Sequence, residues 1–471
     1  MRLHRRIAVN LVLLTAFAQM TPAQSLDGER KVFTLEEAVN YALKNYPAVR
    51  AAMERDAAAE SGIGLARTNY LPRADALWQG NRASRNNILG LLLPNSTIPA
   101  VSGPVLPSTS GRGAWGSAAG LLFSWEAFDF GRRRAEIEIA RAARSTADAE
   151  LQLTRLDVAI GTVNAYLTLL AAERTVQSAQ ADVERRAVVA NSVSVLADNQ
   201  LRPGADRSRA NAELARAKAN LARARQQQEI SRAALAEILA VADGNVEVRE
   251  DSLVSSLPER AAPEQGVATH PLATEQEARV QQRTAELRVL ERSYYPKFNF
   301  QSAAYGRGSG ANTNGTFAGG TNGLGIDRWN WAVGLTVTFP VLDVFSIHQR
   351  KAIQAANERA EQARYQQMVL DLTGQLRKAQ ASLDGARAVA DATPIELTAA
   401  RDTEMQTRAR YQAGLATIVE VSEAQSLLVQ AEIDDALARL AVWQNTASVA
   451  AAQGDLGPFL QLLHGRTQGG P

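Results

Sequence analysis

The sequence contains few of the side chains that catalysis or metal binding requires. It has 471 residues and no cysteine, which excludes disulfides, thiol catalysis and cysteine-ligated zinc. The four histidines lack the spacing of metal ligands, and the glycine-rich stretch 306–325 has neither a dinucleotide-binding nor a P-loop pattern. We therefore expect a protein that is not an enzyme and that uses no cofactor and no metal.

Two acidic residues could instead act through their charge. Glu420 and Glu423 are three positions apart, which places both on one side of a helix. Repeated around a symmetry axis, such a pair would attract cations. Acidic residues at a helix start also complement the helix dipole. The residues alone leave both interpretations open.

The first residues predict export from the cytoplasm. Arg2, Arg5 and Arg6 precede an apolar stretch at 7–18 and then small residues, which is typical of a signal peptide too short to span a bilayer. Cleavage after Ala18 or Ala23 fits this pattern, and we assign residues 1–23. Their removal changes the net charge from +2 to about −1, which gives no reason to expect nucleic acid as a partner. Without cysteine, no lipid anchor is expected, and no transmembrane helix is predicted.

An internal repeat organises the rest of the chain. The Tyr-x-Pro motif at Tyr70 recurs 224 positions later at Tyr294, and an offset of 214 maps Asp206 onto Glu420. Repeat 1 spans residues 31–242, with a helix at about 35–69, a β-hairpin at about 74–125, a long helix at 132–199 and a return helix at 206–241. A linker is predicted at 243–262. Repeat 2 spans 263–453, with a helix at about 263–293, a hairpin at about 298–339, a long helix at 346–412 and a return helix at 417–452. Residues 454–471 are predicted to be a flexible tail.

The four predicted strands alternate bulky apolar residues with small or polar ones. That alternation alone fits a soluble sandwich equally well. Aromatic residues at the strand ends favour the interfaces of a membrane β-barrel, and four strands are too few to close one, since the smallest have about eight. The chain is therefore expected to oligomerise in order to hide its strand edges. The predicted interface aromatics are Trp115, Trp125, Trp329, Trp331 and Phe339.

The helical segments have the spacing of coiled coils. Leu156, Ile160, Val163, Leu167 and Leu170 form a four-three seam, and the return helix repeats it with small residues. The shorter helices are long enough together to line the long one. Pro394 lies inside the second long helix and predicts a bend or a break there.

These features, together with the segment 411–421 (YQAGLATIVEV), resemble the TolC family of outer-membrane efflux ducts over about residues 31–456. The resemblance implies an α+β membrane protein that forms a homotrimer. Its twelve strands would make one barrel in outer-membrane lipid, continued by a long α-helical coiled-coil barrel in the periplasm. The implied function is the passive exit duct of a tripartite efflux or type I secretion system, gated at its periplasmic end. The implied partners are a periplasmic adaptor (membrane fusion protein) and an inner-membrane transporter.

The resemblance also implies roles for residues at the two helical turns. Glu420 and Glu423 match the acidic rings of the family's periplasmic entrance. Tyr411 and Asp206 match a tyrosine and an aspartate whose hydrogen bond helps hold that entrance shut. A second link, from an arginine to a hydroxyl, is missing, because those positions are Ala416 and Ala205. Either fewer bonds hold the entrance shut, or one of the arginines near the turns substitutes, although surface solvation is the more common role for any one of them; these arginines are Arg202, Arg207, Arg408 and Arg410. The implied adaptor-contacting tips are Arg202, Pro203, Gly204, Gly414 and Leu415.

A soluble periplasmic coiled-coil scaffold or adaptor is the alternative function. Such a protein would need one helical hairpin and would lack the paired tryptophan-rich strands. Within the duct interpretation, the sequence does not distinguish drugs, metal ions and proteins as cargo.

Overall fold

The structure, a computed structural model, describes residues 31–84, 113–310 and 318–467, with gaps at 243, 250–252, 254–255 and 259–265, and the single residues 312 and 316. The predicted signal peptide lies outside this part. The elements are β1 (Lys31–Phe33), α1 (Leu35–Asn45), α2 (Pro47–Thr68), β2 (Arg73–Ser84), β3 (Gly113–Phe128), α3 (Arg132–Asp198), α4 (Gly204–Ile238), β4 (Val246–Val248), a 3-10 turn (Val267–Thr269), α5 (Pro271–Arg292), β5 (Lys297–Ser309), β6 (Arg328–Thr338), α6 (Asp343–Gln412), α7 (Ile418–Gln453) and α8 (Gly457–Thr467).

The four long strands form one antiparallel sheet in the order β2-β3-β5-β6. Strands β2 and β6 are its two edges, and neither edge has a further partner strand within the described residues. All four strands meet the helices at one end, called here the helix end. The β2–β3 and β5–β6 connections lie at the opposite end, called here the loop end.

The two faces of the sheet differ sharply in polarity, because successive side chains of a strand point to opposite faces. On the apolar face, cross-strand rows bring together large apolar and small residues, and Trp331 is 80% exposed. On the other face, called here the polar face, charged, amide, hydroxyl and glycine positions predominate, with Leu77 and Leu122 as its large aliphatic side chains within the paired rows. Rows of the apolar face are Trp78-Ala119-Gly306-Trp329, Ala76-Leu121-Ala304-Trp331, Ala74-Phe123-Ser302-Val333 and Trp125-Phe300-Leu335; rows of the polar face include Gln79-Ala118-Arg307-Arg328, Arg73-Ser124-Gln301-Gly334 and Glu126-Asn299-Thr336.

The aromatic residues lie at two levels along the strands. Trp329 and Trp331 are near the loop end, whereas Trp125 and Phe339 are near the helix end. From Trp329 to Phe339 the chain advances ten residues, about 33 Å at 3.3 Å per residue. With the tilt of about 40° usual in barrels, this distance matches a lipid-facing band about 25 Å tall. Trp115 lies beyond this band, at the start of β3.

A buried ion pair joins the sheet to the first long helix. The Asp129 carboxylate accepts from the backbone N–H of Arg133 at 2.7 Å and from its Nε at 2.8 Å. The Arg133 guanidinium also donates to the Asn69 carbonyl oxygen at 3.0 Å and lies 4.7 Å from the centroid of the Tyr70 ring. The Tyr-x-Pro motif therefore supplies part of the joint between strand and helix.

Two long helices carry the rest of the structure. Helices α1, α2 and α4 pack on α3 and α7 packs mainly on α6, whereas α5 packs against both α3 and α6. At about 1.5 Å per residue the 67 residues of α3 reach about 100 Å. The four-three seams are buried, including Leu156, Val163 and Leu167 in α3. Helix α6 continues through Pro394 without a break.

The largest core lies midway along the helices and includes segments that the sequence did not predict to be ordered. The parallel pair β1–β4 sits there, and the Tyr166 hydroxyl donates to the Arg249 carbonyl oxygen at 2.9 Å. The Trp443 indole N–H donates to the Leu253 carbonyl oxygen at 2.9 Å. Part of the predicted linker 243–262 is thus built into the core, because β4 completes a sheet with β1.

Two predicted boundaries differ from the structure. The predicted flexible tail 454–471 contains helix α8, which is held because Leu456 and Phe459 are buried against Trp443. The single helix predicted at about 35–69 is two helices, because Pro47 starts a new one and Tyr46 is extended. By length and composition one described helix, α3, could cross a membrane, but half of its most apolar window is buried within the chain.

Replacing Trp443 by Phe should weaken this core. The ring still packs on Phe459, but the Leu253 and Ser256 carbonyl oxygens lose their indole donor. We expect the free energy of unfolding to fall by about 1–2 kcal/mol. This should lower the midpoint of thermal unfolding in detergent and speed tryptic cleavage at Arg249. Trp331→Phe, at an exposed position, is the control and should change neither. Equal midpoints for Trp443→Phe and the wild type would contradict this role.

Candidate functional site

The two helical turns lie side by side at the end of the long helices farthest from the sheet. The first turn joins α3 to α4 through residues 199–203, and the second joins α6 to α7 through residues 413–417. Both close in the same way, with Leu201 N–H donating to Leu196 O and Leu415 N–H donating to Arg410 O, each at 2.8 Å. Gly414 at the second turn has a φ of +79°, a conformation that suits glycine.

Arg202 connects the two turns directly. Its Nη2 donates to the carbonyl oxygen of Tyr411 at 3.2 Å, and its guanidinium lies 4.7 Å from the centroid of the Tyr411 ring. A cation over an aromatic face is worth about 0.5–2 kcal/mol, more when the pair is shielded from water. Tyr411 is buried. The sequence placed Arg202 at an adaptor-contacting tip, and the structure gives it a contact between the hairpins.

The hydrogen bond predicted between Tyr411 and Asp206 is not formed within the chain. The buried Tyr411 hydroxyl has no hydrogen-bond partner in the described structure. Its ring instead packs among Val193, Ala210 and Ile418, below the Arg202 guanidinium. Burial raises the pKa of the Tyr411 hydroxyl, the charge of Arg202 lowers it, and the charge of Asp206 raises it further.

Glu420 caps the start of α7. Its carboxylate accepts from the Thr417 backbone N–H at 3.2 Å and from the Thr417 hydroxyl at 2.9 Å, while the Glu420 N–H donates back to that hydroxyl. Hydrogen bonds from the Thr417 backbone and hydroxyl hold the pKa of Glu420 below its usual value. The carboxylate is thus charged at neutral pH, and both Glu420 and Glu423 are exposed. The helix-start role and a role in the entrance are compatible.

The remaining tip residues are accessible. Pro203 and Gly204 are exposed at the first turn, and Leu415 is 71% exposed at the second. Pro203 also precedes α4 and Gly414 closes α6, so turn geometry accounts for their residue types. An apolar side chain this exposed at a hairpin tip suits contact with another protein.

The structure adds a buried charged cluster that sequence reasoning missed. Arg186 of α3 bonds to Asp182 at 2.9 Å, to Glu213 of α4 at 3.2 Å and to the Ser426 hydroxyl of α7 at 3.0 Å. It lies beside a cavity of about 200 Å³. The Asp182–Arg186 pair has helical spacing, which is a visible signal. Its partners on α4 and α7 lie 27 and 240 positions away, and no local pattern indicates them.

Other chemistry has little support in the described residues. No group of three or more acidic or histidine side chains there is arranged to hold a metal ion. His270 is buried at the start of α5, where its Nδ1 accepts from the Leu272 N–H at 3.1 Å. This bond is a helix cap, the role expected for a histidine before a helix-start proline.

Comparisons with known proteins give a consistent result. A family model described as "Outer membrane efflux protein" matches residues 38–241 and 263–455. The chain is similar to Protein CyaE of Bordetella pertussis, with 26% identity over 447 residues, covering 93% of this chain and 86% of that protein.

Two solved structures have a similar fold. The CmeC outer membrane channel of Campylobacter jejuni has a TM-score of 0.70 and 16% identity, covering 92% of this chain and 89% of that one. The open state of the MtrE outer membrane channel of Neisseria gonorrhoeae has a TM-score of 0.70 and 20% identity, covering 89% of each chain.

Proposed function

Because the chain belongs to the outer membrane efflux protein family, we propose that three copies of it form the passive exit duct of a tripartite efflux or type I secretion system. The resemblance predicted from the sequence is thereby confirmed at the level of the family. In this proposal the twelve strands of the trimer form one barrel in the outer membrane. The long helices continue it as a tunnel through the periplasm.

The two-faced, open-edged sheet is the observation that carries this proposal. Its apolar face exposes a continuous band of large side chains, including Trp329 (74%) and Trp331 (80%). Its polar face suits a water-filled lumen. In hydrocarbon, unpaired backbone groups cost several kcal/mol each, so the free edges of β2 and β6 must be paired. These edges have 12 and 11 residues. Pairing β6 of one copy with β2 of the next closes a barrel.

The helices support a tunnel rather than a compact domain. Much of α6 is exposed in the single chain, including apolar positions such as Leu370 (72%) and Ile395 (73%). Side chains of this kind need a partner surface, and neighbouring copies supply one. Stacked on one axis, the barrel and the tunnel of about 100 Å would form one continuous path.

The partners follow from the position of the turns. With the sheet in the outer membrane, the two turns lie deep in the periplasm, where an adaptor could bind the tips formed by Arg202, Pro203, Gly204, Gly414 and Leu415. An inner-membrane transporter would supply the energy for export. The exposed apolar face of the sheet argues against a soluble scaffold, because contact of so large an apolar surface with water is unfavourable.

Cysteine pairs placed at the sheet edges should test the assembly, because the chain has no cysteine of its own. Oxidising a series of pairs around Ala76→Cys on β2 and Val333→Cys on β6 should yield a covalent trimer in detergent. A pair on the central strands, Leu121→Cys with Ala304→Cys, should link only within one chain. A protein that stays monomeric and soluble without detergent would overturn the duct and favour the scaffold.

Neutralising the acidic pair should reduce the preference for cations. Glu420→Gln retains an oxygen that can cap α7, so the double variant with Glu423→Gln changes charge with little effect on the helix. In planar bilayers we expect a cation-to-anion permeability ratio lowered by about twofold or more at 0.1 M salt and converging with wild type at 1 M, where charges are screened. Unchanged selectivity at low salt would mean that these acids do not line the pore.

Removing the Arg202 contact should favour the open state. Arg202→Gln loses both the contact with the Tyr411 ring and the hydrogen bond to the Tyr411 carbonyl oxygen. If these stabilise the closed state by about 1–2 kcal/mol, the ratio of open to closed channels should rise by roughly fivefold to thirtyfold. Tyr411→Phe should have little effect, because its hydroxyl is unbonded within the described chain. Arg209→Gln is the control for charge. If Tyr411→Phe opened the channel and Arg202→Gln did not, a Tyr411–Asp206 bond formed on assembly would be the restraint.

A further inference from the structure

The outer mouth of the sheet carries two arginines that nothing above explains. Arg307 of β5 and Arg328 of β6 are direct cross-strand partners, in the last pair of the β5–β6 ladder at the loop end. Like charges directly opposite each other weaken a sheet. The pair therefore places two positive charges together at one end of the sheet, an arrangement that sheets generally avoid.

The register places both arginines on the polar face. They share a row with Gln79 and Ala118, while the neighbouring row toward the helix end contains Asn330, Tyr305 and Gly120. Arg82 lies three positions beyond this row toward the loop end and belongs to the opposite face, where its guanidinium is 5.7 Å from the centroid of the Trp115 ring. In a closed barrel, Arg307 and Arg328 would face the lumen, and Arg82 would face outward.

One described part of the β5–β6 connection lies over the apolar face of the sheet. Residues 322–326 fold over the apolar face, where a side chain on Gly308 would collide with the Gly325 carbonyl oxygen and one on Gly306 with Ile326. The Ser117 hydroxyl donates to the Gly325 carbonyl oxygen at 3.2 Å and fixes this course. The glycines of β5 thus direct the described part of the connection outward, away from the face with the arginines.

Acidic residues are scarce at this end of the sheet. Segments 76–125 and 298–342 together contain Arg82, Arg85, Arg112, Arg307 and Arg328, but only one acid, Asp327. The Asp327 N–H donates to the Arg307 carbonyl oxygen at 3.0 Å. The nearest acid on the polar face is Asp75, two rows toward the helix end, and it is paired with Arg73 at 2.9 Å.

We propose that Arg307 and Arg328 form a basic ring at the extracellular mouth of the duct, a specificity-determining site that attracts anions and anionic groups of the cargo. The proposal rests on the proposed function, since only a closed trimer makes a ring. Three copies bring six guanidinium groups around one lumen. Rings of arginine are the means by which pores favour anions and phosphate-bearing solutes. The duct would then have an acidic entrance and a basic exit.

The test is the reversal potential of the purified trimer in a planar bilayer, under a gradient of potassium chloride at low ionic strength. Arg328→Gln should raise the cation-to-anion permeability ratio by about twofold or more, and the double variant with Arg307→Gln should raise it further. Arg328→Lys keeps the charge and should behave like the wild type. Arg82→Gln is the matched control, with the same change at the loop end of the outward face, and should leave the ratio unchanged.

The possible results distinguish failure of the basic ring from failure of the proposed duct function. A wild-type protein that forms no trimeric pore overturns the proposed function. A pore whose selectivity is the same in the wild type and the double variant overturns the basic ring and leaves the duct intact. Equal effects of Arg82→Gln and Arg328→Gln would assign the change to general surface charge and also overturn the ring. Removing one of two facing positive charges should not lower the melting temperature of the trimer. A change in selectivity would therefore not be explained by misfolding of the variant.

Discussion

The need to pair the free edges of β2 and β6 is the constraint on which the rest of the structure depends. Water can satisfy an exposed strand edge, but hydrocarbon cannot, and each unpaired backbone group there costs several kcal/mol. Four strands leave two such edges in every copy. The apolar face makes the membrane the favourable environment for this sheet. Because strand edges in lipid must be paired, insertion of the sheet into the membrane would require assembly with other copies. A chain with this sheet has little stability of its own as a membrane protein.

The same constraint explains how the strands are joined to the helices. If the barrel is closed by several copies, the helices beneath it must leave each sheet in a fixed direction. The Asp129–Arg133 pair, buried and bonded further to Asn69, sets that direction for α3. Farther down, Tyr166 and Trp443 bond to backbone of the segments before α1 and after α4. The core there holds both helical hairpins in one register, so the two turns arrive side by side.

Sequence reasoning identified the elements whose signals are local. The alternation around Trp331 is clear because large apolar side chains occupy one face of β6 and small or polar ones the other, and the long helices follow from their four-three spacing. It missed what depends on partners far along the chain. Arg186 meets Ser426 across 240 positions, and although Arg202 was one of four arginines named as possible links at the turns, its partner Tyr411 was not predicted. Helix α8 was missed because its glycine and proline content suggested a tail, whereas burial of Phe459 against Trp443 holds it in place.

The proposed charges at the two ends of the duct would act independently. Glu420 and Glu423 lie at the tips of helices about 100 Å long, and Arg307 and Arg328 lie beyond the opposite end, at the loop end of the sheet. At physiological ionic strength the Debye length is about 8 Å, so neither ring is felt at the other. Selectivity is then set by whichever ring surrounds the narrower lumen. In the proposed closed duct that would be the entrance, where Arg202 binds Tyr411; if the entrance widened, the proposed basic mouth would become the remaining electrostatic barrier.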